Sequence, residues 1–177
     1  MDHFERTEIL KTFRIIVDNR EQRTPKAATR YNSFGVPYER GTLRFGDYCG
    51  NLTLPAGDAL DIASPISPRC VIERKMSLDE LAMCFTRGRD RFRREMERAR
   101  SCGATIYLLV EDGSCEAIIN HRYRSRFRPE AFLASLFAWT VRYELRPVFC
   151  RAEASGKIIR EILYRDMKER LERGEYG

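Results

Sequence analysis

The chain is 177 residues long, with 43% hydrophobic and 33% charged residues, 11 glycines and 7 prolines. That balance belongs to a single globular domain with a full-sized core, and it excludes collagen-like and largely disordered chains. The net charge is +6, and 27 of the 32 basic residues are arginines. Their planar donor forks suit a polyanionic partner such as nucleic acid, although arginine-rich codon usage alone gives the same composition. No apolar run approaches the ~20 residues that span a bilayer, and the first residues lack a signal-peptide core. The expectation is a cytoplasmic, nucleoid-associated protein with no membrane contact. Six cysteines (Cys49, Cys70, Cys84, Cys102, Cys115, Cys150) form no CxxC pair, and only His3 and His121 accompany them. This argues against structural zinc and for free thiols.

In chain order, residues 13–18 predict a short buried strand. A helix follows from about Thr24, with Pro25 in its first turn, and ends near Gly35. Residues 36–62 hold short β-like pieces broken by Gly41, Gly46, Gly50 and Pro55-Ala56-Gly57, which read as a meander. Cys70-Val71-Ile72 opens another strand. The chain turns helical at Ser77, three residues before Glu80, as a capping box requires. From about Arg87 to Arg100, Phe85, Phe92, Met96 and Ala99 fall on one helical face and Arg87, Arg91, Arg94 and Arg98 on the other. Residues 105–110 have strand length. A helix over about 130–145 is apolar nearly all round (Phe132, Leu133, Leu136, Phe137, Trp139, Val141, Leu145) and is expected in the core or in a subunit interface. A last strand over 147–150 and an amphipathic helix over 157–172 complete an α/β pattern with a mixed sheet.

Three clusters of charge stand at the edges of apolar strands: Asp18-Asn19-Arg20-Glu21, Gly46-Asp47-Tyr48, and Glu73-Arg74-Lys75 followed by Asp79. On a strand, Glu73 and Lys75 share a face and Arg74 points oppositely, where a surface ion pair would account for it. A carboxylate two residues before an amine suits phosphodiester hydrolysis: Glu73 helps hold a divalent metal, while Lys75 serves the attacking water and offsets phosphate charge. Asp47, from a neighbouring strand, supplies the second carboxylate of a Mg²⁺ or Mn²⁺ site whose other ligands are waters and phosphate oxygens.

Together the clusters match V-D-x-R-E, G-D-Y and E-R-K-x-x-x-D at every specified position. The chain thereby resembles the nuclease domain of the XPF family of structure-specific endonucleases, within the restriction-endonuclease-like, PD-(D/E)xK superfamily, over roughly residues 14–150. The resemblance implies a restriction-endonuclease-like mixed β-sheet flanked by helices, and a metal-dependent endodeoxyribonuclease with no organic cofactor. Asp47 and Glu73 would be metal ligands and Glu21 a further metal-site carboxylate. Asp18 and Arg20 would support the site, and Asp79 would close the network from the next helix. Long family members add a tandem helix-hairpin-helix module, for which only one helix remains after about residue 150. A single nuclease domain of the short kind found in bacterial and phage genomes is therefore expected. The alternative is a non-catalytic DNA-binding or partner subunit, but such a subunit should have lost one of Asp47, Glu73 and Lys75.

Two basic stretches are candidates for holding DNA. One is the helix face with Arg87, Arg91 and Arg94, joined by Arg89. The other is the segment 122–128, where Arg124 and Arg126 could track phosphates while Tyr123 and Phe127 stack on unpaired bases. The opposing readings are a solvated face balanced by Asp90, Glu95 and Glu97, and an ordinary exposed loop. A homodimer is expected with Phe132, Phe137 and the 157–171 helix near its interface.

Overall fold

A computed structural model describes residues 2–53 and 68–175. Six strands, β1 (Arg14–Asp18), β2 (Tyr38–Gly41), β3 (Tyr48–Asn51), β4 (Cys70–Lys75), β5 (Thr105–Glu111) and β6 (Arg146–Cys150), form one sheet in the order β2-β1-β3-β4-β5-β6. The pairs β1–β2, β4–β5 and β5–β6 are parallel, and β3 runs antiparallel to both β1 and β4. Residues 36–53 are therefore no meander, because β2 and β3 lie on opposite sides of β1 and do not pair with each other. The part of that expectation falling on residues 54–62 lies outside the described residues.

Strand alternation sends successive side chains to two separate cores. Ile16, Cys49, Val71, Leu108 and Val110 pack under α3 (Leu78–Phe85), α4 (Arg89–Ser101), α5 (Cys115–Ile119) and α6 (Pro129–Tyr143). Ile15, Val17, Tyr48, Ile72 and Leu109 pack under α1 (His3–Lys11), α2 (Pro25–Asn32) and α7 (Ser155–Arg173). In the first layer the helical stripe of α4 meets α6, where Phe92 stacks on Trp139 with ring centroids 5.0 Å apart and planes 11° from parallel. No described helix is long and apolar enough to cross a membrane.

Local signals behave largely as expected. Thr24 caps α2 by accepting from the Ala27 N–H at 3.1 Å, ahead of Pro25. Ser77 caps α3 through the Glu80 N–H, but the Glu80 carboxylate takes the Met76 N–H at 2.7 Å, one residue earlier than a capping box requires. Helices α1 and α5 have no counterpart in the sequence reading. Phe132 is wholly buried against Tyr123 and Phe127 and is no interface residue, whereas Phe137 and Val141 on the outer face of α6 are exposed.

Candidate active site

The G-D-Y cluster is built around a backbone conformation. Gly46 has φ +74°, and a Cβ there would lie 2.8 Å from the Val71 Cβ, so only glycine fits. The turn then presents Asp47 at the junction of three strands. The Asp47 N–H donates to the Ile72 carbonyl and its carbonyl accepts from the Asp18 N–H, both at 2.8 Å. Its carboxylate Oδ2 accepts from the Arg74 N–H, also at 2.8 Å.

On β4, Glu73 and Lys75 both face α4, as the period of two requires. Glu73 is 4% exposed; its Oε1 accepts from the Lys75 ammonium, and its Oε2 is buried with no partner. Lys75 Nζ also lies 5.3 Å from the centre of the Phe92 ring. Burial alone would lower the lysine pKa, but the charge of Glu73, with smaller contributions from Cys84 and Asp47, outweighs it and raises the value. Lys75 is a fixed cation.

One member of this cluster was not legible as a site residue. Glu95 on α4, which the charge pattern places on a solvated face, is buried and accepts the Gly46 N–H at 3.3 Å. Burial, then the charge of Glu73, raises the pKa of Glu95; the same two causes push Asp47 well above the ordinary carboxylate value. Three carboxylates thus crowd around one ammonium.

The opposite face of β4 carries a second polar network. Arg74 is no surface pair: its side chain is only 10% exposed, and it donates to Glu111 Oε2 at 3.1 Å and to both oxygens of Glu21 at 3.2 and 3.3 Å. Arg30 of α2 bridges Glu111 and the Ser155 hydroxyl, and the Tyr48 hydroxyl donates to Glu21 Oε2 at 2.7 Å. Glu21 is therefore held by this arginine-rich network, at the edge of the cleft that Asp47 and Glu73 also line. Asp18 braces β1: its Oδ1 accepts from the N–H and Nε of Arg20 and its Oδ2 from the Leu43 N–H. Burial would raise the Asp18 pKa, but these donors outweigh it and hold it below the ordinary value.

A cleft of about 530 Å³ opens over both networks, lined by Arg20, Glu21, Asp47, Glu73, Lys75, Arg91, Glu95 and Glu111 among others. Asp79 does not close this network; its carboxylate turns to the backbone of Arg124 and Ser125. In the 122–128 segment the arginines point outward, whereas Tyr123 and Phe127 are half-buried and pack on Phe132. On α4, Arg93 takes Asp90 and Glu97, while among the described residues Arg89, Arg91 and Arg94, and Arg87 in the turn before the helix rather than on its face, have no carboxylate partner.

A divalent cation fits the Asp47–Glu73 pair, because Glu73 Oε2 is a buried acceptor lacking a donor and the surrounding acids repel one another. No described cluster of three or more His, Cys, Asp or Glu side chains forms a ready-made cage. Such a sparse donor set suits Mg²⁺, which keeps waters and phosphate oxygens as ligands.

The family model described as the ERCC4 domain matches residues 17–162. A solved structure of XPF from Aeropyrum pernix is similar at 22% identity with a TM-score of 0.61, covering 92% of this chain and 69% of that one. A second, XPF from Aeropyrum pernix in complex with DNA, is 24% identical with a TM-score of 0.60, covering 88% and 65%. No curated protein matches the sequence. The mixed sheet expected from the three motifs is thus the fold these structures share.

Proposed function

The chain belongs to the ERCC4 domain family, and from that premise we propose that it is a Mg²⁺- or Mn²⁺-dependent DNA endonuclease. The observation that carries this reading is the buried, partnerless Glu73 Oε2 beside Lys75, with Asp47 held across the strand junction. When bound, the metal supplies Lewis acidity toward a phosphoryl oxygen and acidifies the attacking water. Asp47 and Glu73 hold it. Lys75, kept protonated by its acidic neighbours, faces the negative charge that grows on the phosphate during attack. Glu95 grips the Asp47 turn from behind. Asp18, with Arg20, fixes the end of β1, and the Arg74 network holds the far wall of the cleft.

The substrate reading is supported by exposed arginines. Arg91 lines the cleft, Arg89 and Arg94 share α4 with it, Arg87 stands in the preceding turn, and Arg124 and Arg126 lie on the 121–128 loop. All offer phosphate contacts, and one of the similar structures is a complex with DNA. The outer face of α6, with Phe137 50% and Val141 81% exposed, is where a second copy would pair.

Labelled duplex, single-stranded, flap and fork DNA, incubated with Mg²⁺, Mn²⁺ or EDTA, test the proposal. Internal cleavage in either metal and none in EDTA is expected. DNA binding without cleavage in any metal would replace this reading with the non-catalytic subunit.

A further inference from the structure

Asp79 is the last specified position of the third motif, yet it is not among the cleft-lining residues, whereas its neighbours Met76 and Glu80 are. We propose that Asp79 is a positioning residue of the DNA grip, fixing the arginine-bearing 121–128 loop beside the cleft; this rests on the nuclease reading only for the identity of the polyanion.

One carboxylate oxygen, Oδ1, accepts two consecutive backbone donors, the N–H groups of Arg124 at 2.8 Å and Ser125 at 2.7 Å. The other, Oδ2, lies 3.4 Å from Arg124 Nε. The loop is tied again at both ends. The His121 ring meets the Ser125 carbonyl at 3.0 Å, and the Tyr123 hydroxyl donates to the Phe127 carbonyl at 2.6 Å. Tyr123 and Phe127 plug into the core on Phe132, with centroids 5.2 and 5.4 Å away.

With the odd positions turned inward, Arg122, Arg124, Arg126 and Arg128 are all exposed. Arg128 has Glu130 at 3.6 Å and Arg124 has Asp79; among the described residues, Arg122 and Arg126 have no carboxylate partner. Four like charges in seven residues repel one another and favour an open loop. A carboxylate on the backbone holds them together before any ligand arrives, so binding does not bear the entropy of ordering the loop. Because the aromatics are half-buried against Phe132, the exposed edge is made mainly of guanidinium groups. Its contacts are to DNA phosphates, salt-dependent and without sequence preference.

Asp79→Ala and Asp79→Asn separate this role from a catalytic one, because asparagine keeps an oxygen for the two backbone donors at Oδ1 while losing the charge and the long Arg124 contact at Oδ2. Asp79→Ala is expected to open Arg122–Arg128 to trypsin and to weaken duplex binding in EDTA roughly ten-fold. It should lower the slope of log K against log[salt] by about 0.9 for each phosphate no longer neutralised. Asp79→Asn is expected to restore both. Mn²⁺ affinity, read by calorimetry on the protein alone, is expected to match wild type in both variants.

If Asp79→Asn fails together with Asp79→Ala, or if either loses Mn²⁺ affinity, the carboxylate charge acts in the metal site and the assignment is overturned. Arg122→Gln combined with Arg126→Gln keeps the anchor and is the second variant should Asp79→Ala not fold. It should lose affinity and slope without gaining trypsin sensitivity, and wild-type affinity there would equally overturn the assignment. A chain that binds DNA in this manner but cleaves none with any metal would sink the nuclease reading and leave the role of Asp79 standing.

Discussion

Glu95, at the middle of α4, accepts a hydrogen bond from the backbone N–H of Gly46, the residue immediately before Asp47. A helix on one side of the sheet thus sets where a candidate metal ligand on the other side of a turn can stand. Removing the acceptor should loosen Asp47 without touching the metal. Glu95→Ala is expected to lower Mn²⁺ affinity roughly 10–100-fold, the usual scale for a group that orients a ligand. Glu95→Gln, which keeps an oxygen acceptor, is expected to lose less. Calorimetric titration distinguishes them, and unchanged affinity in the alanine variant would reduce Glu95 to a core brace.

Asp47→Asn and Glu73→Gln are each expected to reduce cleavage by roughly 10³ or more, since a Lewis acid is worth several kcal/mol of transition-state stabilisation. DNA binding in EDTA should hold or tighten, because a negative charge near the phosphate is gone. Wild-type cleavage in either variant would remove that residue from the metal site.

Asp47 also predicts a pH dependence of stability. Its folded-state pKa is raised above the ordinary 3.8, first by burial and then by Glu73. Protonation therefore favours the folded chain: the contribution is complete below 3.8 and is lost as pH rises through the elevated folded value. At neutral pH in EDTA, Asp47→Asn should melt above wild type. Saturating Mn²⁺ should stabilise the wild-type chain by about 2.7 kcal/mol at a hundred-fold excess over Kd, raising its Tm, and leave the variant unmoved. Calorimetry with and without EDTA reads both effects.

Lys75→Met is expected to cost several orders of magnitude in cleavage rate with little change in duplex affinity, because its ammonium faces the reaction and not the outer phosphates. Lys75→Arg should also fail. A planar guanidinium does not replace a compact charge wedged between Glu73 and the Phe92 ring. Full activity in the arginine variant would show that any positive charge suffices.

The Arg74–Glu111 contact is an ion pair with side chains only 10% and 4% exposed, within a larger network, so breaking one side strands the other. Arg74→Met is expected to destabilise the fold by about 3–5 kcal/mol, leaving Glu21 and Glu111 to share Arg30. Denaturant unfolding measures it. A double variant with Glu111→Gln should recover part of the loss, and strict additivity would show that the two do not act as a unit.

The chemistry was most legible where it is local. Glu73 and Lys75 sit two residues apart on one strand, so the period of two alone puts them together, and the G-D-Y turn announces itself by its glycine. Glu95 was hidden in the charged run Arg93-Arg94-Glu95-Met96-Glu97, although its helical position with Phe92, Met96 and Ala99 marks an acid on a buried stripe. The environment of Arg74 could not be read, because Arg30, Glu21 and Glu111 converge on it from three other segments. The direction of β2 was equally hidden: its pairing with β1 depends on the crossover through α2. Tyr123 and Phe127 misled for a related reason, since an alternating basic and aromatic segment looks the same whether its rings face bases or a phenylalanine in the core.

The stacked pair of Phe92 and Trp139 gives the protein an optical consequence. Trp139 is the single tryptophan of the chain, it is almost fully buried, and its stacking partner is the ring over which Lys75 lies. Its emission therefore comes from one known place, two rings from the acidic cluster and shielded from solvent. A cation settling beside Glu73 draws on the same carboxylate that holds the Lys75 ammonium, and any shift of that ammonium changes the field at Phe92 and the indole behind it. The native chain thus carries an intrinsic fluorophore wired to its candidate metal site, with no label to attach and no second tryptophan to subtract.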